Sequence, residues 1–441
     1  MVLSLIKEAV ETAASSDVEK IKFSKNAGRE IITDLHIHSR FSRATSKNLD
    51  IVNLVKYSRI KGINLLGTGD ISHEKWLAEI KEKLKEKNGI LWYEDSKGKF
   101  PFVLSGEISL VFTSGEKGRR VHLVYLAPNL ETNSKINQYL DTKGRRDYDG
   151  RPIFNISCEE FVKQMMLIDS RIEVIPAHIW TPWFGVFGSE SGFDSLKDAF
   201  GSQYSNVHAI ETGMSSSPDM NWKIAELEEK SIISFSDSHS FWPWRLGREA
   251  TVFSLKEGEE LSYDMIIDQI RNKTYISTIE TDPGYGKYHY DGHRLCNFSC
   301  SPAKTREIGG ICPVCKKPLT IGVENRVEKL TNNKGIPDNA KPFYKLLPLH
   351  EIIAFYLKTK VGSKKINAIY DKLIEKFGNE FNILLNVDRN VLANELAKEK
   401  LEKLGDLIID NRIANLKVQP GYDGEYGRLV DKEISHSQKT L

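Results

Sequence analysis

Short apolar runs, nearly every one with a histidine or an acid at or just past its end, set the strongest limit on how this chain can fold. They lie at residues 31–38, 63–68, 102–107, 121–126, 172–177, 207–211 and 232–236. Each is too short for a helix, and together they are rich in β-branched residues. Between several of them lie amphipathic stretches of helical period, at 49–61, 73–87, 158–168 and 220–230. Unbroken apolar strands alternating with helices predict an α/β fold with a buried parallel sheet, either an open layer or a barrel.

The run ends carry the chemistry. His36 and His38 close the first, Asp70 and His73 follow the second, and Glu107 ends the third. His178 follows the fifth, Glu211 ends the sixth, and Asp237 with His239 follow the last. His122 breaks the pattern, because it stands at the start of its run. Residues i and i+2 of a strand point to one side, so His36 and His38 can share one ion. In α/β barrels the site is built at the C-terminal strand ends, where these residues would converge. Imidazole with carboxylate suits zinc, manganese or iron, and magnesium also serves at such sites. So many donors exceed the needs of one ion and imply two or three. Paired ions about 3.5–4 Å apart clamp the attacking and leaving oxygens of a phosphoryl displacement.

A length of 441 residues predicts two or three domains. Residues 1–26 read as an N-terminal extension with a short helix, and 27–285 as the metal-dependent barrel. Residues 286–335 read as a separate metal module, and 336–441 as a mainly helical domain. A small hairpin is expected around Asp423-Gly424. The net charge of +2 argues neither for nor against nucleic acid. No apolar stretch is long enough to cross a bilayer and no secretory signal is evident, so a cytoplasmic location is expected.

Four of the five cysteines cluster, as Cys296-x3-Cys300 and Cys312-x2-Cys315, and Cys158 stands alone as a buried thiol. The cluster predicts one structural zinc on four thiolates. Around it, from Gly286 to Leu330, eight Lys and Arg face four Asp and Glu, a difference of +4. Tyr285, Tyr288, His289 and Tyr290 stand at its edge. Basic groups grip phosphates and aromatic rings stack on bases.

Two loops that begin at candidate ligands are crowded with rings. One runs from His178 through Trp180 and Trp183 to Phe187; the other runs from His239 through Trp242 and Trp244 to Arg248. Four tryptophans beside a metal mouth suit an extended strand or an extruded base better than a small ester. Trp180, Trp183, Trp242 and Trp244 are candidates for stacking. Arg245, Arg248, His293 and Arg294 are candidates for the nucleic-acid backbone.

The stretches Asp34-Leu35-His36-Ile37-His38-Ser39, Gly67-Thr68-Gly69-Asp70, Ser105-Gly106-Glu107, Pro176-Ala177-His178 and Ser236-Asp237-Ser238-His239 resemble the PHP superfamily (polymerase and histidinol phosphatase). That resemblance implies a distorted seven-stranded β/α barrel with a trinuclear metal centre. Carried over by position, it implies His36, His38, Asp70, Glu107, His122, His178, Asp237 and His239 as ligands. Two departures weaken the third metal site. Asp70 is followed by Ile71-Ser72-His73 rather than directly by histidine, and no further histidine follows the first pair. His73 is the candidate to complete it.

The loops 177–184 and 241–250, with Lys287-Tyr288-His289-Tyr290-Asp291-Gly292-His293-Arg294, narrow the resemblance to the endonuclease Q family. It implies a DNA repair endonuclease that cuts 5′ to deaminated bases (uracil, hypoxanthine, xanthine) or abasic sites. Asp237, Glu107 and His38 are the expected catalytic residues. One alternative is a phosphoesterase acting on a small phosphate monoester, and another is a noncatalytic DNA-binding scaffold. The last residues, Gln438-Lys439-Thr440-Leu441, look like the first half of a sliding-clamp-binding motif.

Overall fold

The computed structural model describes residues 29–333 and 335–430. The expected N-terminal extension and the clamp-like tail lie outside the described residues.

All seven expected strands are present. Arg29–Asp34 pairs in parallel with Leu65–Gly67, which pairs in parallel with the long strand Gly98–Ser114. That strand turns back in a hairpin onto Lys117–Ala127, which pairs antiparallel with Glu173–Pro176. Ala209–Glu211 and Ser231–Ile233 pair in parallel. The circuit closes through single links: Ile179 N donates to Glu211 O at 3.1 Å, and His38 N donates to Ser238 O at 2.9 Å.

One of the seven strands therefore runs against the others, contrary to the all-parallel expectation. A hairpin reverses Lys117–Ala127, so residues early in that strand lie level with the ends of its neighbours. His122 stands opposite Ser109, two positions beyond Glu107, and thus reaches the same mouth. Its early place in the strand is what an antiparallel member of such a sheet requires.

Two helical expectations are corrected. The helix predicted over 73–87 is Glu74–Lys83, and Lys85–Lys87 forms a strand against Ile90–Asp95. The turn between them is Asn88-Gly89, both with positive φ (54° and 72°), the pairing a two-residue hairpin demands. The helix predicted over 220–230 shrinks to Pro218–Asn221 followed by a short 3-10 turn, Ala225–Leu227. Between them the carbonyl of Lys223 accepts from Asn332 N and Asn333 N of the later linker, which takes it out of the helical ladder.

Beyond the barrel, Phe343–Lys345 joins the main sheet beside Ser277–Glu280. The helices Leu349–Leu357, Lys364–Phe377, Arg389–Lys398 and Glu402–Arg412 follow, as expected for a mainly helical C-terminal part. The small hairpin is Val418–Gln419 with Arg428–Leu429. Cys158 is fully buried at the start of the helix Cys158–Ile168. No helix among the described residues is long and apolar enough to cross a membrane.

A buried ion pair fastens the helical part to the barrel. Lys61 Nζ lies 2.7 Å from Glu380 Oε1 and donates to Pro243 O at 2.8 Å. Glu380 also accepts from Leu349 N (3.0 Å) and the Tyr370 hydroxyl (2.8 Å). Removing one partner leaves a buried charge unmatched, which costs about 3–5 kcal/mol. Lys61→Met is expected to lower stability by that order in urea unfolding. Adding Glu380→Gln, whose amide oxygen still accepts from Leu349, is expected to restore part of the loss.

Candidate metal centre

Backbone geometry at the strand ends aims the side chains inward. After Asp34 the first strand gives way to Leu35-His36-Ile37-His38, where Ile37 bridges Ser238 and packs in the core. The histidines on either side of it turn the opposite way. Asp34 accepts from Ser236 N (3.0 Å), Ser236 Oγ (2.5 Å) and Gly247 N (2.9 Å), so it ties the first motif to the last. Asp70, His178 and Asp237 all adopt positive φ (49°, 31° and 45°), a strained state for non-glycine residues that clusters at functional sites. Gly213 permits the turn at His178: a Cβ there would lie 2.4 Å from His178 Cβ.

Two groups of donors meet in the pocket and share Glu107. One is His36, His38, Glu107 and Asp237, and the other is Glu107, His122 and His178. His38 Nε2 lies 3.1 Å from both Glu107 Oε2 and Asp237 Oδ1, and His36 Nε2 lies 3.3 Å from Glu107 Oε2. His122 Nδ1 approaches Glu107 Oε1 to 2.9 Å and His178 Nε2 to 3.2 Å. His36 Nε2 and Glu107 Oε1 are buried and make no hydrogen bond of acceptable geometry. Buried polar atoms pay a heavy desolvation cost when left unmatched. Lone pairs crowded at these distances fit divalent cations, and the donor set matches two of them.

Carboxylates behind the pocket orient the first two imidazoles. Glu211 Oε1 lies 2.8 Å from His36 Nδ1, and Asp70 Oδ1 lies 2.9 Å from His38 Nδ1. Each pairing keeps the proton on Nδ1 and leaves Nε2 free for an ion. Burial opposes charge on both rings, yet the surrounding carboxylates outweigh it and raise both well above the ordinary histidine range. Burial likewise opposes ionisation of Glu107, but Arg151, His122 and His36 hold it well below the usual carboxylate range.

Three expected ligands stand outside both donor groups. Asp70 spends its oxygens on His38, Ser39 and Ser42 and serves as an orienting partner. His73 stacks on Phe41 at 4.4 Å, and the extra residues after Asp70 carry it to the N-cap of the helix Glu74–Lys83. His239 lies over the His38 ring at 4.2 Å, with Nδ1 3.2 Å from Asp237 O. Among the described residues no third donor group forms in the barrel. Arg151, which sequence reasoning missed, places Nη1 3.0 Å from Glu107 Oε2. It lies in a polar loop, not at a strand end, so the pattern that exposed the other residues passed over it.

The cysteine module assembles differently from the expectation. The donors that meet are His293, Cys296, Cys312 and Cys315. Cys300 lies outside them, with its thiol 3.2 Å from Thr305 Oγ1. Spacing carried the signal, since His293-x2-Cys296 repeats the interval of Cys312-x2-Cys315. His293 is thus drawn away from the DNA role expected of it.

The aromatic loops divide. Trp180 is fully buried, with Nε1 donating to Asn221 Oδ1 at 2.8 Å, so it belongs to the core and not to a stacking surface. Arg248 turns inward and donates to Ser236 O through Nε (3.0 Å) and Nη2 (2.9 Å), which removes it from the backbone-gripping set. Trp183 and Trp242 remain 36% and 37% exposed. Trp242 stacks on Trp244 (5.0 Å, 9°), and Trp244 packs on His350 of the helical part. Arg294 is exposed, and Arg245 lies over the Tyr426 ring. A cleft of about 210 Å³ opens beside Asp237, lined by Thr181, Met214, Lys287, Tyr288 and Tyr426.

Two outcomes follow from these contacts. Glu211→Ala frees the His36 ring and is expected to weaken metal binding about 10–100-fold in a metal titration. Cys300→Ser is expected to keep one zinc in the cysteine module, whereas Cys296→Ser loses it, as read by elemental analysis of the purified variants.

Residues 348–412 match the family described as the MJ0043 C-terminal domain. The uncharacterized protein MJ0043 of Methanocaldococcus jannaschii is 30% identical over 295 residues, which is 66% of this chain and 35% of that protein. The chain thus spans about a third of that relative's length. The uncharacterized protein YqxK of Bacillus subtilis is 23% identical over 421 residues, covering 91% of this chain and 99% of its own. The crystal structure of a lesion-specific endonuclease Q from Pyrococcus furiosus superposes with a TM-score of 0.80 at 28% identity, covering 93% of this chain and 98% of that one. An endonuclease Q complex with a 27-mer duplex carrying an abasic lesion at the active site matches equally well. In both sequence and fold, over nearly its whole length, this chain is similar to endonuclease Q.

Proposed function

We propose that this protein is a metal-dependent DNA repair endonuclease that hydrolyses the phosphodiester bond 5′ to a deaminated base (uracil, hypoxanthine, xanthine) or an abasic site. The observation that carries the reading is the pair of donor groups sharing Glu107, with an open aromatic-lined cleft at Asp237 beside them. The abasic lesion at the active site of the related endonuclease Q complex supports the substrate class. DNA as substrate agrees with a cytoplasmic location.

Each residue has a defined task in this reading. Glu107 spans both donor groups and fixes their separation, while His38 and Asp237 face it across the first group. His122 and His178 complete the second. Two divalent cations held there would polarise the phosphorus–oxygen bonds and lower the pKa of water. The cleft accepts the nucleotide turned out of the helix, where Tyr288 and Tyr426 flank the base. Trp183 and Trp242, partly exposed near the site, support a polymer over a small phosphate ester. Lys287 at the cleft, the exposed Arg294 and Arg245 over the Tyr426 ring are the groups assigned in this reading to the sugar–phosphate backbone. A zinc on His293, Cys296, Cys312 and Cys315 would hold that side of the cleft in place.

The test uses end-labelled duplexes bearing uracil, hypoxanthine, xanthine, an abasic site or normal bases, with and without chelator. Cutting 5′ to the lesion, abolished by chelator, is expected. Asp237→Asn is expected to abolish scission while leaving DNA affinity within a few-fold. Equal cutting of undamaged DNA, or full activity in that variant, would remove the assignment.

A further inference from the structure

The polar loop between the helix Leu130–Asp141 and residue Ile153 is held firmly against the pocket. Arg146 is buried, donating to Ser72 O and to Asp141 at 2.7 Å. Gly150 N donates to Phe41 O at 3.1 Å, and Ser109 N donates to Pro152 O at 3.0 Å. Gly150 presses so closely on Asp70 that a Cβ there would lie 2.2 Å from Asp70 Oδ2. The backbone on both sides of Arg151 is thereby pinned, and only its side chain has freedom.

That side chain reaches into the donor groups. Arg151 Nη1 lies 3.0 Å from Glu107 Oε2 and 3.5 Å from His122 Nδ1, yet the side chain keeps 26% exposure. Cations held by the histidines and Glu107 would repel the guanidinium at these distances and weaken its hold on that carboxylate. Its exposed edge is the part free to meet a ligand. A planar guanidinium there matches two phosphate oxygens.

We propose that Arg151 grips a non-bridging oxygen of the scissile phosphate, supplying positive charge beside the two donor groups. The inference rests on the phosphodiester reading above. It makes Arg151 a residue that touches substrate, separate from the ion-holding set.

The experiment compares wild type, Arg151→Ala and Arg151→Lys in metal-loaded full-length protein. Elemental analysis should find the same ion content in all three. Single-turnover cutting of an abasic duplex should fall about 100-fold in Arg151→Ala, as for loss of one oxyanion donor, with DNA affinity within threefold. Arg151→Lys should recover part of the rate. Sulfur placed stereospecifically at each non-bridging oxygen of the scissile phosphate should slow wild type for one isomer, and that isomer's effect should shrink in Arg151→Ala. A merely structural role would leave the sulfur effect unchanged. Binding of inorganic phosphate, measured by calorimetry, should weaken at least tenfold in Arg151→Ala. Should wild type cut no lesion while phosphate binding still depends on Arg151, the DNA reading fails and this assignment survives as a phosphate site. Unchanged phosphate affinity, a rate within threefold of wild type, or loss of ions from Arg151→Ala would overturn it.

Discussion

A carboxylate held among four imidazoles organises the mouth of this barrel. Glu107 lies within 3.4 Å of His36, His38, His122 and His178, and it is almost wholly removed from solvent. Such a cluster is unstable unless its charges and lone pairs are matched, because desolvation penalises every one of them. Cations would satisfy it; Arg151 meets one Glu107 oxygen, Oε2, and leaves Oε1 and His36 Nε2 unmatched. The surrounding fold reads as the apparatus that keeps these groups together. Asp34 locks the first and last strands, Glu211 and Asp70 fix ring orientations, and left-handed turns at Asp70, His178 and Asp237 direct the side chains inward.

Around that centre the later parts of the chain build a surface. The cysteine module brings Lys287 and Tyr288 to one wall of the cleft, and the C-terminal hairpin adds Tyr426. The helical part reaches beneath the Trp242 loop through the contact of Trp244 with His350 and the Lys61–Glu380 pair. The exposed Trp242 ring is therefore braced by the half-buried Trp244, which in turn packs on the buried His350. A small ester would need none of this reach.

Much of the metal site was legible from position alone. His36, His38, Glu107, His178 and Asp237 stand at or just past apolar runs, and a strand's geometry carries them to one rim. His122 looked anomalous until the hairpin explained it. Asp70 and Glu211 show the limit of such reading, since both end strands as ligands do, yet both face the back of an imidazole. The Trp loops were legible as a group but not singly: Trp180 and Trp183 are three residues apart, and one is core while the other is surface.

Period and spacing by themselves determined that the chain would form alternating strands and helices with a polar rim, a cysteine knuckle and helices after it. These features follow from local backbone geometry, which a linear chain carries in full. Only the tertiary structure decided which donors face an ion, that His293 joins the cysteines while Cys300 does not, and that Arg151 enters the pocket. Those outcomes depend on how loops from distant segments close on one another. The facing of a side chain across such a closure is set by packing and charge among partners remote in sequence.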